Sequence, residues 1–215
     1  MELSSDTIYE LAINKVKPGR LAEFKAARAA FITEMKKTKG VGSDAAYQSF
    51  FTMPGENDSE VFVGVTEWNS AEDFAGAAAQ LMPTDAFRNY FQTFEQLAYL
   101  QLRPKDGASF DLQQIAGDNL VVEFAARTVK SGQEHLFTAK RKAFFDAVAA
   151  QPGYLFDREF VAVDGDVKVV VIVWASQADF QNALGALSQA AEMGDFFSIL
   201  DVQAYQATQQ VVEQI

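Results

Sequence analysis

The stretch WNSAEDF, Trp68 to Phe74, returns later in the chain as WASQADF, Trp174 to Phe180. The tryptophan, serine, aspartate and phenylalanine keep their spacing, and the two stretches lie 106 residues apart (174 − 68). A serine followed three residues later by an acidic residue has the spacing of a capping box, which satisfies free N–H groups at the start of a helix. Each stretch therefore predicts a strand that ends at the tryptophan, followed by a capped helix whose phenylalanine turns inward.

The similarity extends outward from these two stretches. Residues 17–31, KPGRLAEFKAARAAF, match residues 130–144, KSGQEHLFTAKRKAF, at an offset of 113 (130 − 17). Tyr99 and Tyr205 match again at an offset of 106 (205 − 99). The difference of seven residues (113 − 106) falls where the hairpin MPGENDSE of the first copy is replaced by the shorter VDGDV. Because this register holds along nearly the whole chain, it indicates a duplication.

Each copy predicts the same series of elements. Residues 7–16 alternate as a strand does, and apolar residues at spacings of three and four then predict a helix that ends near Gly40. Two strands joined by a hairpin, the capped helix and a last strand complete the β-α-β-β-α-β order of a ferredoxin-like unit. We predict the α+β class, with ferredoxin-like repeats at residues 1–104 and 119–215 and a polar linker at 105–118. The sheets of the two repeats are expected to pack together as an internal pseudo-dimer.

Composition narrows the classes of function. The chain has 215 residues, a formal net charge of −11 and no cysteine. An acidic surface repels phosphate backbones and anionic lipids, so we expect no nucleic-acid partner and no membrane partner. The sequence shows no signal-peptide pattern and no uninterrupted apolar run of about 18 residues, which predicts a cytoplasmic protein. Without cysteine there are no disulfides, thiolate metal sites or cysteine nucleophiles.

Three sequence motifs of this chain resemble those of one protein superfamily. The K-x-G turn before the first helix, the phenylalanine-lined helix and the E-W-x-S-x-x-D-F entry into the second helix are similar to those of the dimeric α+β barrel proteins related to antibiotic biosynthesis monooxygenases. Most relatives carry one copy and pair as homodimers, so the resemblance implies an intramolecular dimeric α+β barrel; a further homodimer of whole chains is left open. It also implies a ligand pocket between sheet and helices, where Trp68 and Trp174 match the pocket tryptophan.

The other functional positions of the superfamily match poorly. Polyketide-type relatives place an asparagine before the tryptophan and a tyrosine after it, where the first copy has Gly64 and Phe74. Their arginine after the tryptophan matches Arg88 of the first copy. The histidine of haem-degrading relatives falls on Ala78 and Leu184. The resemblance therefore implies a protein without a cofactor and without a metal.

Three further positions draw attention. Arg28 and Arg141 match at an offset of 113 (141 − 28) on the first helix of each copy. A salt bridge or stem packing is their expected role, with a ligand contact as the alternative. His135, the single histidine, lies two residues from the inward Phe137 and is expected on the surface.

Two functions are compatible with these residues. The first is a cofactor-independent monooxygenase-like protein that acts on a small apolar aromatic or quinol compound. Its ligand is expected in the first copy between Trp68, Phe74 and Arg88, where Trp68 stacks on the ring and Arg88 stabilises a phenolate. The alternative for Arg88 is an exposed side chain that pairs with a surface carboxylate. Trp174 is the matching substrate-binding candidate of the second copy, with packing as its expected role. The alternative is a non-catalytic binding or structural pseudo-dimer whose pockets are filled by phenylalanine.

Overall fold

The computed structural model describes residues 6–55, 60–105 and 110–211. The first half, up to residue 105, consists of β1 (Ile8–Val16), α1 (Leu21–Met35), β2 (Val41–Met53), β3 (Val61–Trp68), α2 (Ala71–Leu81), α3 (Asp85–Phe91) and β4 (Phe94–Pro104). After a short 3₁₀ helix (Leu112–Ile115), the second half consists of β5 (Val121–Val129), α4 (Glu134–Ala149), β6 (Tyr154–Ala162), β7 (Lys168–Trp174), α5 (Gln177–Leu187), α6 (Ala191–Phe197) and β8 (Leu200–Gln210). No helix in these ranges is long and apolar enough to cross a membrane.

The eight described strands form one closed antiparallel barrel in the order β1-β3-β2-β8-β5-β7-β6-β4. The four strands of each half are neighbours, β4-β1-β3-β2 in the first half and β8-β5-β7-β6 in the second. Two seams join the halves, because β2 pairs with β8 and β4 pairs with β6. Closure leaves no open edge among these strands. The predicted α+β class and the barrel are thereby confirmed.

The connection between the halves differs from the polar linker that we predicted. Phe110, Leu112 and Ile115 are buried inside the barrel. There the hydroxyl of Tyr9 donates to the carbonyl oxygen of Phe110 at 2.5 Å, and that of Tyr47 donates to the carbonyl oxygen of Ile115 at 3.2 Å. Apolar space inside an eight-stranded barrel is filled by side chains, and this segment supplies part of the filling. Residues 106–109 of the predicted linker lie outside the described part of the chain.

The helices pack on the outer face of the barrel, and their predicted caps are confirmed. Ser70 Oγ accepts the N–H of Asp73 at 3.1 Å, and Ser176 Oγ accepts that of Asp179 at 3.1 Å. Gly40, at the end of the loop between α1 and β2, has φ +82°. A Cβ at this position would lie 2.3 Å from the Cβ of Asp73. Only glycine fits this contact, which sets the start of α2 against the end of the α1–β2 loop.

Candidate functional site

Each half encloses a cavity between the outer face of its sheet and its helices. The first cavity has a volume of about 280 Å³ and is bounded by Trp68, Phe74, Tyr90 and Tyr99. The second cavity has a volume of about 80 Å³ and is bounded by the matching residues Trp174, Phe180, Phe196 and Tyr205. Small-molecule sites are concave and mostly apolar, with a few placed polar groups. The roomier first cavity is therefore the candidate site.

A carboxyl group in the first cavity is held by a tryptophan and a tyrosine. Trp68 Nε1 donates to Glu10 Oε2 at 3.1 Å, and the Tyr99 hydroxyl hydrogen-bonds the same carboxyl group. The strand register explains this meeting, because Trp68 pairs with Ile8 and Tyr99 pairs with Ala12. Alternate residues of a strand share a face, so Glu10 lies between its two partners on the helix-covered side.

The second cavity contains the same three residue types. Trp174 Nε1 donates to the carboxylate of Glu123, and the Tyr205 hydroxyl donates to Glu123 Oε2 at 2.5 Å. Glu123 matches Glu10 at the offset of 113 (123 − 10), and the tryptophan and tyrosine match at 106. Both halves thus hold what we call the Glu–Trp–Tyr triad.

Burial shifts the proton equilibria of both triads. Loss of water contact raises the pKa of Glu10 to about 7, against the lowering effect of the hydrogen bonds from Trp68 and Tyr99. The same cause raises the pKa of Glu123 to about 7. A carboxyl group whose pKa lies near neutral pH can accept a proton and return it. In the first cavity such a group is open to a ligand.

The first cavity also contains a buried ion pair. The Arg28 guanidinium donates to Asp44, and the Thr66 hydroxyl donates to Asp44 Oδ2 at 2.9 Å. The side chains of Arg28 and Asp44 are only 7% and 5% exposed. Beside this pair, burial raises the pKa of the Tyr90 hydroxyl to about 12, which keeps it protonated at neutral pH. The charges of Arg28 and Asp44 offset each other within the cavity wall.

Arg88 does not face the first cavity, which corrects its expected ligand contact and agrees with the alternative, an exposed arginine paired with a surface carboxylate. It lies on α3 with 53% of its side chain exposed. Its guanidinium donates to the Asp85 carboxylate and to the carbonyl oxygen of Pro83, the latter at 2.6 Å. Residues three positions apart on a helix are neighbours, so Asp85 pairs with Arg88 at the surface of α3. Arg28 is the arginine that lines the cavity.

The other predicted residues lie where their spacing places them. Trp68 and Phe74 both line the first cavity, with their rings edge to face and their centroids 5.6 Å apart. Trp174 lines the second cavity. The salt bridge expected of Arg141 is confirmed, at 2.9 Å from Asp157. The structure thus brings Trp68 and Phe74 together and keeps Trp174 in the other half.

The two cavities differ because a strand of the first half covers the second cavity. β2 has 13 residues and β6 has nine. The far end of β2 lies beside β8 and places the Phe51 ring 6.0 Å from that of Phe180 and 5.7 Å from that of Tyr205. Tyr205 is consequently 8% exposed, whereas Tyr99 is 37% exposed. The longer strand β2 thus narrows the second cavity, and the first cavity keeps the larger volume.

A second difference lies in the sheet itself. Gly64 in β3 lines the first cavity, and Val170 lines the second at the matching position. A Cβ added at Gly64 would meet its nearest neighbour, the carbonyl oxygen of Ala12, only at 4.0 Å. The absent side chain at Gly64 therefore adds directly to the open volume.

Sequence reasoning missed Glu10 and Glu123. The alternation of residues 7–16 puts Glu10 on the same strand face as Ile8 and Ala12, where a carboxylate stands among apolar residues. The signal was present, because a glutamate recurs at the offset of 113 on the strand that pairs with the tryptophan strand.

The side chains of the two cavities do not suit a haem iron. Ala78 and Leu184, which occupy the histidine position of haem-degrading relatives, line the cavities with aliphatic groups. Within the described residues, no group of three or more histidine, aspartate or glutamate side chains is placed to hold a metal ion. An imidazole ligand is thus missing at the place where the resemblance requires one.

A closed antiparallel barrel with helices on its outer face is the dimeric α+β barrel fold. An anthrone oxidase-like protein has this fold, with a TM-score of 0.67, 14% identity and coverage of 100% of this chain and 95% of that chain. A provisionally named monooxygenase from Fusobacterium nucleatum subsp. nucleatum matches with a TM-score of 0.59, 14% identity and coverage of 97% and 94%. A chlorite dismutase from Candidatus Nitrospira defluvii matches with a TM-score of 0.59, 12% identity and coverage of 97% and 93%.

No family model matches the chain, and no curated protein matches it. At the identities of the solved structures, the likeness shows the fold alone.

Proposed function

We propose that the protein is a cofactor-independent monooxygenase-type oxidoreductase that acts on a small apolar aromatic or quinol compound in the first cavity. The observation that carries the proposal is an open cavity of about 280 Å³ whose aromatic walls surround the carboxyl group of Glu10. The names of two similar structures, an anthrone oxidase-like protein and a monooxygenase, belong to the same reaction class. That likeness is an analogy of fold, so the proposal rests on the cavity.

In the proposed reaction, the protein supplies substrate binding and proton transfer, and no cofactor takes part. For an anthrone-type substrate, a ring CH₂ group becomes a carbonyl: one O₂ is consumed, one oxygen atom enters the product, and the other leaves as water with the two hydrogens. Loss of one proton from the substrate creates an electron-rich anion that O₂ oxidises. An apolar cavity strengthens the electrostatic contacts that stabilise such an anion.

Within this proposal, the aromatic walls hold the ring. Trp68 and Phe74 both line the cavity and meet edge to face, an arrangement that aromatic pairs prefer. Met82 and Phe91 line the same cavity and are 59% and 37% exposed, so they form an apolar rim at its mouth. Trp174 packs in the narrower second cavity, and Arg88 is paired with Asp85 at the surface.

Oxygen consumption tests this function. We expect the purified protein to consume O₂ with at least one member of a panel of anthrones and reduced quinols, at one O₂ per carbonyl formed for the anthrones. Catalase added in parallel separates this stoichiometry from peroxide release, and metal chelators should leave the rate unchanged. If no member of the panel gives a rate above that of the buffer, the oxidative function is wrong.

The alternative function is favoured by the second cavity. Phe51 and Val170 both narrow it, which favours a scaffold role for that half. A protein that only binds an aromatic compound would use the first cavity in the same way without oxidising its ligand. Saturable binding together with unchanged O₂ in the same panel would select this second function.

We also propose that the architecture is two ferredoxin-like repeats, residues 1–104 and 119–215, that form an internal pseudo-dimer. Support comes from the matching element order and from the two seams between the halves. A separately expressed 1–104 fragment would leave the barrel-facing side of its sheet and the β2 edge uncovered, so we expect it to dimerise or aggregate. Light scattering checks this, and a stable soluble monomer of the fragment would contradict the proposal.

A further inference from the structure

We infer that Glu10 is the proton acceptor of the first cavity, and that this cavity selects neutral aromatic hydroxyl compounds over aromatic carboxylates. The inference rests on the proposed function for the place of the ligand and adds the group that recognises it. Glu10 lines the cavity together with Trp68, to which the proposed function assigns the contact with the ligand ring. A carboxyl group in that place can meet the polar edge of the ring that Trp68 holds.

The charges that line the cavity decide between hydroxyl and carboxylate ligands. The charged or titratable groups of its wall are Glu10, Arg28, Asp44, Tyr90 and Tyr99. Arg28 is already paired with Asp44, which also accepts from Thr66. The remaining carboxyl group makes the wall neutral or negative, so an anionic ligand is repelled while an O–H donor is accepted.

The two hydrogen bonds to Glu10 prepare it for this task. The Trp68 N–H donates to Oε2 and the Tyr99 hydroxyl bonds the same carboxyl group, so both favour its ionised form and fix its direction. Burial acts in the opposite sense, and the resulting pKa of about 7 leaves a large share of the group ionised at neutral pH. Glu10 is thus held in place and able to take a proton.

The proton transfer balances within the cavity. The ligand O–H bond breaks, a carboxylate oxygen of Glu10 takes the proton, and the electron pair stays on the ligand oxygen as an aryloxide or enolate. The negative charge moves from Glu10 to the ligand, in a cavity whose wall also contains the Arg28 guanidinium. The total charge of the cavity is unchanged, so the proton transfer creates no additional charge in the apolar surroundings.

Glu123 provides the matched control. It has the same tryptophan and tyrosine partners, but its cavity is narrowed by Phe51 to about 80 Å³. Glu123→Gln therefore changes an equivalent carboxyl group without touching the first cavity.

Anaerobic calorimetric titration with 1-naphthol, naphthalene-1-carboxylate and naphthalene tests the inference. We expect the unmodified protein to bind the naphthol most tightly and the carboxylate most weakly. Glu10→Gln should weaken the naphthol about tenfold, the typical effect of losing a hydrogen bond to a charged group, and should leave the carboxylate bound no more weakly than before. Because ionised Glu10 accepts the O–H of the ligand, the affinity for naphthol should increase as pH rises through about 7. This pH dependence should be lost in Glu10→Gln and kept in Glu123→Gln.

Other outcomes overturn the inference. Equal binding of naphthol and carboxylate by the unmodified protein contradicts the selectivity without the need for any variant. Equal weakening of both ligands in Glu10→Gln would assign Glu10 a purely structural role. Because the titrations exclude oxygen, a protein that binds selectively but consumes no O₂ would refute the oxidation and leave Glu10 as the recognising group. Oxygen consumption with no selectivity would refute only the role of Glu10.

Discussion

Gly64→Val is expected to lower the rate of O₂ consumption, and the affinity for the aromatic ligand, by more than tenfold. The added side chain projects into the first cavity and makes its wall resemble that of the second, where Val170 holds the matching position. Removing the space for a flat ring costs most of its apolar contact with Trp68 and Phe74, about 1.5–3 kcal/mol or more for a group of side-chain size. The rate and the dissociation constant measure this loss.

Stability provides the control for Gly64→Val. A Cβ at this position meets nothing closer than 4.0 Å, and valine suits a strand better than glycine does, by up to about 1 kcal/mol. We therefore expect the free energy of unfolding to stay level or to rise while binding falls. A variant that is as stable as the native protein and retains full activity would show that the ligand does not bind in this cavity.

The free energy of unfolding is expected to fall by about 3 kcal/mol between pH 4.5 and 7 because of Glu123, and Glu123→Gln should remove this fall. In the folded protein the pKa of Glu123 is raised to about 7, from an ordinary value of 4.5. Between these two pH values the folded state binds more protons than the unfolded state. The free energy of unfolding therefore falls as pH rises, by about 1.4 kcal/mol per pH unit for one group. Below the ordinary pKa this contribution to stability is fully present.

Urea unfolding between pH 4.5 and 8 measures this contribution. Glutamine keeps the shape of the side chain and one acceptor for Trp174 or Tyr205, but it cannot ionise. The slope of stability against pH should be smaller in Glu123→Gln than in the native protein and should be unchanged in the exposed control Glu95→Gln. An unchanged slope in Glu123→Gln would mean that the buried carboxyl group titrates normally and that the triad does not perturb it.

Local patterns predicted much of this fold. The serine caps at Ser70 and Ser176 depend on residues three positions apart, and the approach of Gly40 to Asp73 follows from a loop that must turn with positive φ. Such interactions repeat wherever the sequence repeats, which is why two constant offsets indicated the order of strands and helices. The barrel followed from the need of each sheet to cover its second face.

Contacts between distant segments were not predictable in this way. Phe51 lines and narrows a cavity of the other half, and a comparison of aligned copies cannot show that one copy reaches into the other. Phe110 lies in a segment with charged and polar neighbours, and its burial depends on the barrel that surrounds it. Both residues make contacts across the boundary between the halves. The sequence of one half alone does not indicate such contacts.

The candidate site was predicted in part. Trp68 and Phe74 lie together as their spacing indicated, because a strand end and the following helix are neighbours in sequence. Arg88 was assigned from a resemblance between positions, but an aspartate three residues away pairs with it at the surface. Arg28 and Glu10 reach the cavity from a different helix and strand, so their convergence required the strand register and the helix packing.

The most direct test of the central claim is a crystal structure of the protein soaked anaerobically with 1-naphthol. We predict one ligand per chain, in the first cavity against Trp68, with its oxygen about 3 Å from the carboxylate of Glu10, the distance of a hydrogen bond. The second cavity, which Phe51 narrows, should hold no ligand. A ligand bound beside Trp174 and Glu123, or bound in the first cavity with its hydroxyl turned away from Glu10, would contradict this prediction.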